Sequence, residues 1–458
     1  MNNKQNLVLG FAPTRRRMYD VTFALENRRR IKKRVESILS GYNVELVDID
    51  WLNNEGLLIE MEDVQKVEEY FKQKKVDAIF MPHCNFGSEE VVGKLGKVMG
   101  KPFLLWGPRD EAPPPDGGIR QTDTQCGLFA SSKALLRYGV PFTYIENCWV
   151  DDEAFERGLV DFIRVASIIK TFRNLRIGQV SLRPKPFLSV MVNESELLER
   201  FGIEVVPITG VEIIGKTNEI LSNRRDEIKA LVADIKGKID CSAMDDESMD
   251  KIAALELAFM DLAKEHECSA MASECWRTFW QAFKIRSCFA FGDLIDRGLI
   301  VACETDINGA VTMAMLKAAS FGQTPPFLAD LTIRHPKNEN AELLWHCGPF
   351  PQSLAKYPEQ RKLVRFTGFW ELKEGDITVA RFDGCRGKYS LFAGAGKGVD
   401  GPSTNGNYVW IEVDDWVKWE RKLIYGPYIH HVACIHGNYV PILQEACRYI
   451  EGVEIDTP

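Results

Sequence analysis

Val76-Asp77-Ala78-Ile79-Phe80-Met81, running into Pro82-His83-Cys84-Asn85-Phe86-Gly87, is the stretch that decides the fold. A short apolar run bounded by Pro and Gly reads as a buried strand that opens on a loop. Helical stretches flank it over 61–74 and 89–99, and a charged helix is expected over 20–39. Working outward, residues 6–11, 44–49 and 102–106 repeat the strand pattern. Strands alternating with helices predict a parallel sheet covered on both faces. The ligand crevice of such a sheet lies beyond the carboxyl ends of its strands. The loops at 13–17, 82–88 and 107–116 are therefore candidate site loops.

A second α/β unit begins near residue 175. Strands are expected over 176–182, 203–208 and 299–303. Helices are expected over 193–201, 226–266, 271–283 (containing Glu274-Cys275-Trp276) and 306–320. From about 331 the character changes. Residues 364–370, 375–382, 388–395 and 407–413 are β-rich and separated by Gly or Asp turns, as in an antiparallel sheet or small barrel, with a last helix over 440–450. The run Gly394-Ala395-Gly396-Lys397-Gly398 lacks phosphate-loop spacing and reads as a flexible loop. The expected organisation is an α/β domain over 1–172, a second over 173–330 carrying Glu304 and Asp330, and a β-rich domain over 331–458 carrying His346 and His431.

Composition narrows the function classes. The 458 residues are 45% hydrophobic and 27% charged, ordinary for a soluble globular protein. A net charge of −8 argues against a general nucleic-acid binder. No apolar run is long enough for a membrane helix, and the N-terminus has no signal-peptide core. The twelve cysteines show no CxxC pair, so reduced thiols in a cytoplasmic protein are expected rather than disulfides or a thiolate zinc site. No GxGxxG lies between an expected strand and an expected helix, so no nucleotide cofactor is expected.

The chemistry concentrates in the last third. Cys303-Glu304-Thr305-Asp306, Leu328-Ala329-Asp330-Leu331, Trp345-His346-Cys347-Gly348 and Gly426-Pro427-Tyr428-Ile429-His430-His431 supply two carboxylates, a histidine and a histidine pair. Five of the seven histidines lie between His335 and His436. Carboxylate oxygens with imidazole nitrogens suit a borderline divalent ion such as Mn²⁺. Glu304 falls at a strand end, at the mouth of a sheet, where a carboxylate is available to a ligand.

The order of these four motifs resembles the L-fucose isomerase and L-arabinose isomerase superfamily of metal-dependent aldose–ketose isomerases. Ala12-Pro13-Thr14-Arg15-Arg16-Arg17 resembles that family's first-strand loop. Gly202-Ile203 before a strand, and Cys275-Trp276, are similar to stretches of its second domain. The resemblance spans nearly the whole chain, in order and architecture more than in continuous identity. The chain is shorter than a typical fucose isomerase, and its C-terminal region is trimmed.

The resemblance implies two flavodoxin-like parallel-sheet domains followed by a β-rich, barrel-like one. It implies a cytoplasmic sugar isomerase using Mn²⁺ or another divalent cation. Glu304 matches the metal-binding glutamate that also transfers the proton, Asp330 the second metal carboxylate and His431 the C-terminal ligand. His346 is similar in placement to an additional histidine ligand. Which carboxylate is base and which acid stays open. The family forms hexamers, with site loops from a neighbouring subunit; here those loops would hold Arg16, His83 and Gln125.

Several residues carry blander readings. Asp306 reads as a helix cap, His430 as a group orienting its neighbour, and His335 and His436 as structural. Trp345 fits an apolar sugar wall or a core position equally. Arg15, Arg16 and Arg17 fit either ion pairs or recognition of an anionic substituent, such as a C6 sulfonate or phosphate. The same site also admits a sugar epimerase or lyase, or a non-catalytic sugar-binding homologue. No membrane or nucleic-acid partner is expected.

Overall fold

The computed structural model describes residues 7–118 and 120–458. The described residues divide into two compact units, 7–170 and Thr171–Pro458.

The first unit alternates β1 (Leu7–Phe11), α1 (Val21–Leu39), β2 (Val44–Asp48), α2 (Val64–Gln73), β3 (Ala78–Pro82), α3 (Glu89–Met99), β4 (Phe103–Trp106), α4 (Thr124–Arg137), β5 (Thr143–Tyr144) and α5 (Glu153–Phe172). Its five strands are parallel in the order β2-β1-β3-β4-β5. This is the flavodoxin-like order. The strands are apolar throughout because both faces are buried. Ile79, Met81, Phe103 and Leu105 join Phe71 of α2, Leu95 of α3 and Leu128 of α4 in one apolar layer. The alternate residues Phe80 and Trp106 meet Phe155 of α5 instead, with ring centroids 6.2 and 4.3 Å away.

The second unit begins with β6 (Arg176–Val180), α6 (Glu194–Phe201), β7 (Glu204–Ile208), α7 (Gly210–Asn223), α8 (Arg225–Lys236), α9 (Asp246–Glu265), β8 (Ala270–Ser273), α10 (Thr278–Phe283), α11 (Cys288–Asp296), β9 (Ile300–Cys303) and α12 (Ile307–Ala319). Its first sheet is parallel, ordered β7-β6-β8-β9. The helix expected over 271–283 is not continuous. Its first residues form β8, buried between β6 and β9, because a short apolar run fits a sheet core as well as a helix. Glu274 then accepts the backbone N–H of Trp276, Arg277 and Thr278 at 2.8–2.9 Å and caps the turn into α10.

The rest comprises β10 (Phe327–Arg334), β11 (Ala341–His346), β12 (Lys362–Val364), β13 (Thr367–Glu371), β14 (Gly375–Cys385), β15 (Lys388–Val399), β16 (Asn407–Glu412), α13 (Trp416–Tyr425), β17 (His431–His436), α14 (Val440–Cys447) and β18 (Val453–Asp456). The strands form a mixed sheet in the order β12-β13-β16-β11-β10-β17-β14-β15-β18. A further β15–β16 pairing closes six of them, β16-β11-β10-β17-β14-β15, into a barrel. The glycine run is no loop: it lies within β15. A Cβ at Gly396 would sit 2.8 Å from the Glu412 carbonyl oxygen, and one at Gly398 2.7 Å from the Glu374 Cα. These glycines let backbones approach closely where the barrel closes. Among the described residues no helix is long and apolar enough to cross a membrane.

Candidate active site

Chain direction and strand register assemble the site within the second unit. β9 delivers Glu304 just past its last residue, Cys303. Glu304 and Thr305 both take left-handed backbone angles, φ 60° and 59°. Two successive side-chain-bearing residues in that region are strained, and such strain concentrates at functional sites. Asp306 then caps α12, accepting from the Gly309 N–H at 2.9 Å. In the barrel, Asp330 of β10 lies opposite His431 of β17 on one side and Trp345 of β11 on the other. Residues directly opposite on paired strands are close neighbours.

The side chains converge on His431, which is fully buried. Its Nε2 lies 3.0 Å from Glu304 Oε2 and 3.5 Å from Asp330 Oδ1. His431 Nε2 and Asp330 Oδ1 are both buried without a hydrogen-bond partner. The other ring nitrogen, Nδ1, meets Asp306 Oδ2 at 2.9 Å. Asp306 is also paired with the fully buried Arg381 of β14, which Asp383 holds at 2.8 Å. Burial disfavours the Asp306 charge, but Arg381 and His431 outweigh it and hold the carboxyl far below the usual carboxylate range. An ionised Asp306 accepts, so in the neutral ring Nδ1 carries the proton and Nε2 is the nitrogen open to a cation. This is the carboxylate–histidine arrangement that fixes a metal-binding imidazole. The sequence reading gave the orienting role to His430. Instead Asp306 holds His431, and His430 packs edge-on against it, ring centroids 4.4 Å apart.

Glu304 is fixed from its other side, where the Trp276 Nε1–H donates to Oε1 at 2.7 Å. Burial works to raise its pKa, yet His431, His346 and Trp276 together bring it below the ordinary value. Phe187 completes one wall, 5.0 Å from the Trp276 ring and 6.0 Å from the His431 ring, centroid to centroid. Sequence reasoning did not single out Phe187, Arg381 or Asp383 for the site. Nothing in their local sequence marks them, because they act on it through distant chain segments.

His346 is buried 6.4 Å from His431, ring centre to ring centre, and its Nε2 also lacks a partner. Its Nδ1 accepts the Cys347 backbone N–H at 2.9 Å. In the neutral ring the proton then sits on Nε2, which suits a hydrogen-bond donor better than a metal ligand. Burial opposes a second proton on either ring. Cys347, Asp330 and Glu304 overcome it at His346, and Asp306 and Glu304 at His431, raising both pKa values to about 9; a cation bound at His431 would therefore displace the Nε2 proton. Trp345 stacks on His346 with rings 13° apart, and its Nε1–H donates to the Asn405 carbonyl at 2.5 Å.

The donor set fits a divalent cation. Two carboxylates and a lone-pair nitrogen face one another, and two of the atoms concerned are buried and unpartnered. Asp330, His430 and His431 also offer ligand atoms within 4.8 Å of one another. Asp306 and Asp383 pair with Arg381, whereas Glu304 and Asp330 face His431, where a cation would take the place of the imidazole proton.

The remaining sequence-selected residues belong to the first unit. His83 is fully buried; its Nδ1–H donates to the Phe86 carbonyl at 2.8 Å, leaving Nε2 an unpartnered acceptor. Burial lowers its pKa to about 4 and keeps it neutral. Gln125 sits in the first turn of α4 with its backbone N–H on Asp110 Oδ2 at 3.1 Å. That helix packs closely on the His83 loop: a Cβ at Gly127 would lie 1.6 Å from the Phe86 carbonyl oxygen. Arg15 is clamped by Glu55 at 2.6 and 2.8 Å, and Arg17 is paired with Glu60 at 2.6 Å. Arg16 instead lies over the Phe86 ring at 4.0 Å, with Glu89 no closer than 3.8 Å.

Comparison with known proteins agrees with this architecture. Residues 10–173 match the family model of the fucose/sulfoquinovose isomerase N-terminal domain. A sulfoquinovose isomerase of Priestia aryabhattai is 23% identical, the alignment covering 97% of this chain and 98% of that protein. One of Alkalicoccus urumqiensis is 25% identical over 81% of this chain and 84% of its own length. A third, of Clostridium sp. (strain MSTE9), is 27% identical over 61% of each. With a sulfoquinovose isomerase aligning from end to end, a flavodoxin-like sheet at its start and Glu304, Asp330 and His431 drawn together, the chain is similar throughout to proteins of the L-fucose isomerase-like superfamily, and its residues 10–173 match that superfamily's fucose/sulfoquinovose isomerase N-terminal domain.

Proposed function

We infer that this protein is a metal-dependent aldose–ketose isomerase acting on a sulfonated sugar of the sulfoquinovose type. The observation that carries the reading is the convergence of Glu304 and Asp330 on His431 Nε2, with Asp306 holding Nδ1. The curated relatives, all sulfoquinovose isomerases, support the substrate class.

Isomerisation moves a proton between C1 and C2 through an ene-diol. Glu304, Asp330 and His431 would hold a divalent ion, which we take to be Mn²⁺, and such an ion would supply Lewis-acid stabilisation of the charge that develops on the substrate oxygens. Glu304 and Asp330 are the carboxylates that remove and return the proton. Trp276 keeps Glu304 aimed by occupying one of its oxygens. His346, with Nε2–H unpartnered, donates to a sugar oxygen. Phe187, Trp276 and Trp345 give the apolar walls on which a sugar ring stacks. Arg16, His83 and Gln125 are the substrate contacts expected from the first unit, in a hexameric and cytoplasmic enzyme. Twelve free cysteines accord with a reducing compartment.

The test is to incubate purified protein with sulfoquinovose, with and without Mn²⁺ and after chelation, and to follow the sugar by NMR in D₂O. Metal-dependent appearance of the ketose, with solvent deuterium at C2 of recovered aldose, is the expected result. A C2 epimer without ketose would make it an epimerase, and no conversion of any sugar would remove the catalytic reading.

A further inference from the structure

The loop after β6 carries more than a wall of the metal site. Phe187 faces His431, but Arg183 and Lys185, on the same loop, line a separate cavity of about 380 Å³. Gln179, Glu194, Thr305 and Ile307 also line it. Thr305 is the residue after Glu304, so one wall of this cavity is a single peptide unit from the proposed metal centre. The Thr305 hydroxyl is buried and has no hydrogen-bond partner. Burying a hydroxyl unpaired is unfavourable unless a ligand completes it.

The charges point the same way. Arg183 spends one nitrogen, Nη1, on the carbonyls of Pro184, Lys185 and Phe187 at 3.2–3.4 Å, which fixes the loop. Among the described residues no carboxylate pairs with Arg183 or Lys185. Glu194 is the one acidic residue lining the cavity, against two cations. The paired left-handed angles at Glu304 and Thr305 turn the chain so that one side chain serves the metal site and the next the cavity.

Resting on the isomerase reading above, we propose that this cavity is the anion subsite of the enzyme: Arg183, Lys185 and the Thr305 hydroxyl bind the sulfonate of the substrate. A tetrahedral sulfonate offers three acceptor oxygens, which guanidinium, ammonium and hydroxyl donors meet with charge-assisted hydrogen bonds. The sugar then spans from its reacting C1–C2 end near Glu304 to its charged end beside Thr305. Arg16 is the rival anchor, since its two arginine neighbours are held by glutamates.

The experiment measures kcat/KM for sulfoquinovose and for its neutral analogue 6-deoxyglucose in the wild type and in Arg183→Gln, Lys185→Gln, Thr305→Val and Arg16→Ala. The ratio of sulfonated to neutral kcat/KM should fall roughly ten- to a hundred-fold in Arg183→Gln and Lys185→Gln, and less in Thr305→Val. Lys185 is exposed, so that variant changes the charge with little effect on packing. Proportional changes on both sugars in these variants, or a selective loss in Arg16→Ala only, would overturn the subsite. Wild-type protein that isomerises 6-deoxyglucose but not sulfoquinovose would instead remove the sulfosugar reading, and the subsite with it.

Discussion

Replacing Asp306 by Asn isolates what this carboxylate does for the metal centre. Asn caps a helix about as well as Asp, so the bond to the Gly309 N–H at 2.9 Å is retained. Arg381 keeps its second partner, Asp383, at 2.8 Å. What is lost is the charge that keeps the proton of His431 on Nδ1 and the lone pair on Nε2. With the amide oxygen kept on the Gly309 N–H, the NH₂ takes the place of Oδ2 and faces Nδ1, which moves the ring proton to Nε2 and closes the ligand position. Losing such an outer partner weakens metal binding by about ten- to a hundred-fold, or about 1.4–2.8 kcal/mol. Titration of metal-free protein with Mn²⁺, by calorimetry or by the electron-spin signal of free Mn²⁺, reads this without any turnover. Asp383→Asn is the control, because it perturbs Arg381 without touching His431. Equal weakening in both variants would mean that the buried ion network acts only through stability. Unchanged affinity in Asp306→Asn would refute the assignment of His431 Nε2 as a ligand.

Glu304→Gln should abolish turnover while the protein stays folded, since an amide oxygen can still accept from Trp276; retained isomerisation would take this carboxylate out of proton transfer. Glu342 of β11 is buried and one of its oxygens is unpartnered, and burial raises its pKa from 4.5 to about 7. The folded state therefore holds this proton more tightly than the unfolded chain. The stability it confers is full below about pH 4.5 and is lost as pH rises through about 7, at a cost of about 3 kcal/mol. Glu342→Gln should then raise the denaturation midpoint at pH 8 much more than at pH 5, and equal effects at both would exclude burial as the cause. Gly398→Ala should destabilise by about 1–3 kcal/mol, because its Cβ meets the Glu374 backbone. Gly215→Ala, in α7 with open space around it, should stabilise by roughly 0.5–1 kcal/mol. Thermal melts of the two variants should move in opposite directions.

The sequence by itself determined what local pattern can carry. Apolar runs such as 76–81, bounded by loop residues and alternating with helices, specified parallel sheets, because strands buried on both faces must be apolar throughout. The motifs holding Glu304, Asp330, His346 and His431 stood out because carboxylates and imidazoles beside glycines and prolines are uncommon in that density. Only the tertiary structure decided which atoms meet. Asp306 contacts His431 across 125 residues of chain, and Asn308 contacts Asp383 across 75. No local periodicity encodes such pairings. A cap was legible at Asp306, but its second oxygen was assigned by the barrel. Register likewise placed Asp330 beside both His431 and Trp345, and a one-residue slip would have turned the carboxylate to the other face. The glycines at 394–398 and the run at 270–273 were misread for the same reason. A loop and a strand, or a strand and a helix, share those compositions until their neighbours in space determine which backbone groups find partners.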